Sequence, residues 1–130
     1  MAGKITVSTI NDDTGVLATQ NGMTGIAKAW VNFDGTATPT IRGSFNVSSI
    51  TDNGTGDYTV NFTTAMPDAN YSVNIDASSP YRTSVGQAAF GTQDSATAMT
   101  TSAVRLGILQ VGGTAANAYD SANVFVSVFR

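Results

Sequence analysis

Cysteine, histidine and glutamate are all missing from this sequence, and charge of either sign is scarce. Without cysteine no disulfide supports the fold, and no redox compartment can be read from thiols. Without histidine and cysteine the commonest nucleophile–base pairs and transition-metal ligands are excluded. Acid–base chemistry would be left to aspartate pairs, Lys4, Lys28 or tyrosines. Apolar runs are also short. None approaches the ~20 residues that a membrane-spanning helix needs. The opening residues lead straight into Ile5-Thr6-Val7-Ser8 with no apolar signal-peptide segment, so secretion by that route is not expected.

What is present points to strands. All acidic residues are aspartate, which favours turns and caps, whereas glutamate would favour helix. Threonine and valine recur throughout, and β-branched side chains suit extended backbone. Charged residues make up 12% of the chain against ~25% in ordinary soluble domains. Much of the surface is therefore Thr, Ser, Asn and Gly: hydrated, nearly neutral, and suited to contact with copies or neighbours. The net charge of −3 and six scattered cations (Lys4, Lys28, Arg42, Arg82, Arg105, Arg130) make no basic patch, so nucleic acid is not an expected partner. A length of 130 residues fits one domain.

Along the chain, Lys4–Ile10 alternates as a strand, Asn11–Gly15 is a turn signal, and the stretch from Val16 to Gly25 shows no clear period, which fits an irregular arm or one short helical turn. Residues 1–26 are thus expected to form an N-terminal strand and an irregular arm, with residues 27–130 as a β-sandwich domain. From Ala27 the pattern sharpens: Ala27, Ala29, Val31 and Phe33 lie on one face, Lys28, Trp30, Asn32 and Asp34 on the other. Thr38–Ile41 is expected to return as an edge strand, because Pro39 lacks a ladder donor. Phe45, Val47 and Ser49 alternate into the Thr51–Gly56 loop, and Tyr58, Val60 and Phe62 come back facing one way, which is a hairpin signature. With Tyr71, Val73 and Ile75 after a second reversal, three strands are predicted to form a meander from Ser44 to Ala77.

The later half is softer. Val85–Phe90 reads as a strand, Ala96–Val111 as an extended segment with a shift of face, and Gly112–Ser121 as a long loop. In Ala122–Arg130 both faces are largely apolar, so this last strand should be central in a sheet or covered by another subunit. The fold class expected is all-β, an antiparallel β-sandwich or jelly roll, assembled as a trimer.

Few residues stand out for chemistry. Asp12-Asp13 and Asp52-Asn53-Gly54 with Asp57 read as turn residues, and their spacing does not follow the calcium loop of an EF-hand. Gly54-x-Gly56 and Gly112-Gly113 do not open onto helices, so no phosphate cradle is expected. No catalytic residue, metal ligand or cofactor is predicted. Trp30, the single tryptophan, falls on a polar face and reads as an interface anchor or a sugar platform. Tyr81, Arg82, Tyr119 and Asp120, in or beside loops, are the other candidates for receptor or interface contact.

The runs Ala-Trp-Val-Asn-Phe-Asp-Gly-Thr (29–36) and Ile-Arg-Gly-Ser-Phe-Asn-Val-Ser-Ser-Ile-Thr-Asp-Asn-Gly-Thr-Gly-Asp-Tyr-Thr-Val-Asn-Phe (41–62) resemble a module of bacteriophage tail-fibre and related virion proteins. The resemblance implies a non-enzymatic, homotrimeric β domain of the virion, assembled in the host cytoplasm, that touches host-surface glycan or protein and other virion proteins. It transfers no catalytic residues. A fibre usually carries a long shaft and a tail-attachment domain, and this chain shows neither. The reading of a tail fibre or fibre tip therefore stands beside that of a capsid decoration (cement) protein or head fibre.

Overall fold

The structure of the protein, a computed structural model, describes Gly3 and residues 25–78, 87–92, 98–112 and 115–130. The expected Lys4–Ile10 strand, Asp12-Asp13 and the rest of the arm up to residue 24 lie outside them. The described residues form nine strands: β1 (Ala27–Asp34), β2 (Thr40–Phe45), β3 (Val47–Gly54), β4 (Asp57–Phe62), β5 (Ser72–Ala77), β6 (Gln87–Thr92), β7 (Ala103–Gly112), β8 (Ala115–Ala118) and β9 (Val124–Phe129). Two antiparallel sheets pack as a sandwich. One runs β2-β1-β9-β5; the other runs β3-β4-β7-β6, with β8 also on β7. The all-β expectation holds.

Period-two alternation builds the core from both sheets. Ala29, Val31 and Phe33 of β1 and Val124, Val126 and Val128 of β9 face Tyr58, Val60 and Phe62 of β4 and Val104, Leu106 and Ile108 of β7. Each large apolar side chain buried this way contributes ~1.5–3 kcal/mol before chain entropy is counted. Two edge-to-face aromatic pairs fix the packing, Phe33 on Tyr58 with centroids 5.3 Å apart and Phe62 on Tyr71 at 5.8 Å. The terminal strand is central, between β1 and β5, as its double apolar pattern predicted.

Four expectations need correction. The alternating stretch through Phe45 and Val47 is not one strand. Asn46 adopts φ +55°, and the chain passes there from one sheet to the other. Asparagine tolerates this left-handed conformation, and its side chain holds the corner: Nδ2 donates to the carbonyls of Lys28 (3.0 Å) and Thr64 (3.1 Å), while Oδ1 accepts from the Thr64 amide (2.7 Å).

The hairpin β3–β4 forms, but its meander stops there. β5 pairs with β9 in the opposite sheet, and the second edge of β4 is taken by β7. Alternation determines which face is buried and leaves the pairing partner open. The connecting loop crosses between the sheets with Met66 and Tyr71 buried, and the Tyr71 hydroxyl is anchored at the Thr100 and Ala103 carbonyls, 2.9 and 3.0 Å away.

The extended segment over 96–111 contains a tight reversal. Met99 bridges Val104, and the Thr100 amide donates to the Ala103 carbonyl, so β7 begins only at Ala103. This reversal precedes the shift of face expected between Ala103 and Leu106; from Val104 on, Val104, Leu106 and Ile108 share one buried face. Finally, the stretch 112–121 is not all loop: Ala115–Ala118 pairs with β7 in register Leu109 to Ala118. The edge role of the Pro39 strand stands, although the strand starts after that proline and runs to Phe45.

Candidate functional site

Among the described residues, the exposed aromatic side chains lie on the outer face of the four-stranded sheet. On β1, Trp30 and Asn32 point away from the core; on β9, Phe125, Ser127 and Phe129 do. Trp30 is 42% exposed and Phe125 43%. The ladder sets their spacing. Trp30 lies opposite Phe45 of β2 and Ser127 of β9, and Asn32 lies opposite Gly43 and Phe125. Trp30 and Phe125 are thus diagonal neighbours, with Cα atoms ~7–8 Å apart in such a register.

Gly43 explains the pose of the indole. A Cβ placed there would stand 3.6 Å from the Trp30 Cη2 and Cζ3 atoms. The outer edge of the six-membered ring therefore comes to van der Waals distance of where that Cβ would stand, and the missing side chain leaves room for it. Beside it, the Asn32 Oδ1 atom is buried and has no hydrogen-bond partner. An unsatisfied buried acceptor costs ~1–3 kcal/mol.

Strict alternation placed Lys28 on this same face, and it is buried instead. The β1–β9 register shifts between Ala27 and Ala29. Lys28 is the extra residue of that bulge, and a bulge re-aims side chains. The cation at the upper end of the face is Arg42. It reaches Asp34 Oδ2 (2.7 Å), the Ala122 carbonyl (2.6 Å) and Asn123 Oδ1 (2.9 Å). The Asp34 carboxyl is held below the usual carboxylate range, first by the Thr36 hydroxyl and amide and then by Arg42.

Of the other sequence candidates, Tyr119 and Asp120 do not join Trp30. Tyr81 and Arg82 lie outside the described residues. Tyr119 is half-buried, and its amide donates to the Ile108 carbonyl at 3.1 Å. Asp120 has a structural task at the end of the sandwich: its Oδ1 accepts from the Gly56 amide (2.7 Å) and the Tyr58 hydroxyl (2.6 Å). Both were picked for loop position alone, which does not separate a recognition loop from a tied one.

Sequence reasoning put Trp30 and Asn32 on one face. It missed Phe125 and Gly43 as parts of the site. The signal for Phe125 was the double apolar pattern of the last strand; nothing local in the sequence marks Gly43 as the ring's support.

The Asp52–Asp57 loop is also occupied by its own contacts. Asp52 Oδ1 caps the Gly54 amide at 2.9 Å, and Asp57 accepts from the Arg105 Nε at 2.9 Å. Among the described residues no group of three or more acidic side chains could hold a metal ion. The fold and this face define an antiparallel β-sandwich with an aromatic outer surface. The chain matches no protein-family model, no curated protein and no solved structure.

Proposed function

We propose that this chain is a non-enzymatic structural subunit of a bacteriophage virion, a tail fibre or fibre tip that contributes to host-surface attachment. The observation that carries the reading is where the resembling runs fall. Residues 29–36 and 41–62 cover β1 to β4 except Ala27, Lys28 and Thr40, strands that belong to both sheets and contribute Trp30 to the exposed face. In this reading the subunits act as homotrimers. The low surface charge supports close contact between copies, and the outer face of the four-stranded sheet stays open to the host.

Deleting the protein from the phage that carries it tests the reading. Virions lacking it should adsorb poorly to host cells while their heads remain stable to heat and low salt. Unchanged adsorption with fragile heads would replace the fibre with a capsid decoration protein.

A further inference from the structure

The two outer faces of the sandwich differ in their exposed aromatic content. On the β3–β4 face the side chains partner one another. Asn61 Nδ2 donates to Thr51 Oγ1 (2.9 Å) and Ser49 Oγ (3.1 Å), Asn53 Nδ2 donates to Thr59 Oγ1 (2.9 Å), and Asp57 takes Arg105. The β1–β9 face instead leaves two aromatic rings in solvent and the Asn32 acceptor without a partner.

We propose that the outer face of the four-stranded sheet is a saccharide-binding platform, with Trp30 stacking against the C–H face of a neutral pyranose ring. The inference rests on the attachment reading and names the class of ligand. An indole whose outer edge is seated at Gly43, in a residue 42% exposed, presents apolar ring surface to solvent. It needs little ordering when a ring lands on it. Ser127, the ladder neighbour of Trp30, and the exposed Asn74 opposite it on β5 supply hydroxyl and amide groups at the rim of the aromatic rings. A few such polar groups beside an apolar surface fix a ligand's orientation.

Charge selects the class of sugar. Arg42 on this side is committed to Asp34, and Arg130 to Asp68. Phosphate or uronate groups would find neither guanidinium unpaired, and Asp76 on β5, opposite Phe125, would repel them. A neutral, hydroxyl-rich chain meets no such penalty.

Area separates a sugar from a second copy of the protein. Trp30 and Phe125, each less than half exposed, together with the half-buried Phe129, offer on the order of 200–300 Å² of apolar surface. A stable protein–protein interface buries ~800 Å² per partner around an apolar centre. The exposed patch is the size of a small ligand.

Because Trp30 is the single tryptophan, its fluorescence reports on this face alone. The isolated protein is titrated with maltohexaose, cellohexaose and the hexamer of N-acetylglucosamine. At least one should give a saturable change in emission. Phe125→Ser should weaken that binding about tenfold, or ~1.4 kcal/mol, with the thermal melt retained; Trp30→Ala, followed by calorimetry, should abolish it. If Trp30→Ala does not fold, Phe125→Ser still decides. No saturable change with any of the three sugars overturns the proposal. So does an emission change that follows protein concentration and ignores sugar, since a second copy would then cover the face. A negative sugar titration would leave the adsorption defect of the deletion phage intact, so the two readings fail separately.

Discussion

The Tyr58 hydroxyl lies 2.6 Å from Asp120 Oδ1 and 2.9 Å from the Gly35 carbonyl oxygen, tying β4 to the segment that leads into β9. One phenolic proton serves two acceptors here, and the carboxylate is the stronger of the two. Asp120 also accepts from the Gly56 amide. Tyr58→Phe should destabilise the fold by ~1–3 kcal/mol, because it leaves the acceptors of a water-poor site short of a donor. The double mutant with Asp120→Ala should cost less than the sum of the singles. Urea denaturation of the four proteins in the cycle measures the coupling; strict additivity would mean that the contact is energetically idle.

Two glycines should respond in opposite ways to the same methyl group. Gly56 has φ +65°, and a Cβ there would fall within 2.6 Å of the Tyr119 nitrogen, with the Ile108 carbonyl oxygen closer still. Both are backbone atoms and cannot swing aside, so Gly56→Ala should cost more than ~2 kcal/mol. At Gly43 the added methyl meets the Trp30 ring at an ordinary 3.6 Å. Gly43→Ala should change stability by less than ~1 kcal/mol while shifting Trp30 emission, and thermal melts with fluorescence spectra check both halves.

Stability should fall at both ends of the pH scale. The Asp57 and Asp68 carboxyls are held below their ordinary value of 3.8, mainly by hydrogen bonds from Arg105 and Arg130, and Asp34 likewise by Thr36. A depressed folded-state value stabilises above the ordinary carboxylate range. That contribution is lost as pH falls through and below 3.8. Burial, reinforced by Asp120, raises Tyr58 above the ordinary phenol value of 10.0, and burial raises Tyr71. A raised phenol keeps its stabilising effect below about pH 10 and loses it as pH climbs further, because the unfolded chain ionises first. Melting temperature should thus be flat through neutrality and drop on either side. In an alkaline absorbance titration Tyr58 should ionise only as the protein unfolds, and Tyr71 above the ordinary phenol range. Full ionisation of all tyrosines near pH 10 with circular dichroism unchanged would contradict the buried Tyr58.

Alternation in β1, β4 and β9 was legible in the sequence because one face of each strand is buried, and a period of two then leaves a clear trace. Trp30 and Asn32 were placed on one face by the same logic. Partners were not legible, because β4 pairs with β7 across some forty intervening residues and no local pattern names a distant strand. The corner at Asn46 and the bulge at Lys28 each break the period by one residue, and a plain alternation count runs straight through them. Asp120 looked like a loop residue open to a receptor; only the fold brings Tyr58 and the Gly56 amide to it.

The proposal of a virion appendage is tested most directly by immunogold electron microscopy of intact phage particles with antibody against this chain. Gold on the tail, at fibre tips, is the result the account predicts. Gold confined to the head shell, with none on the tail, would contradict it.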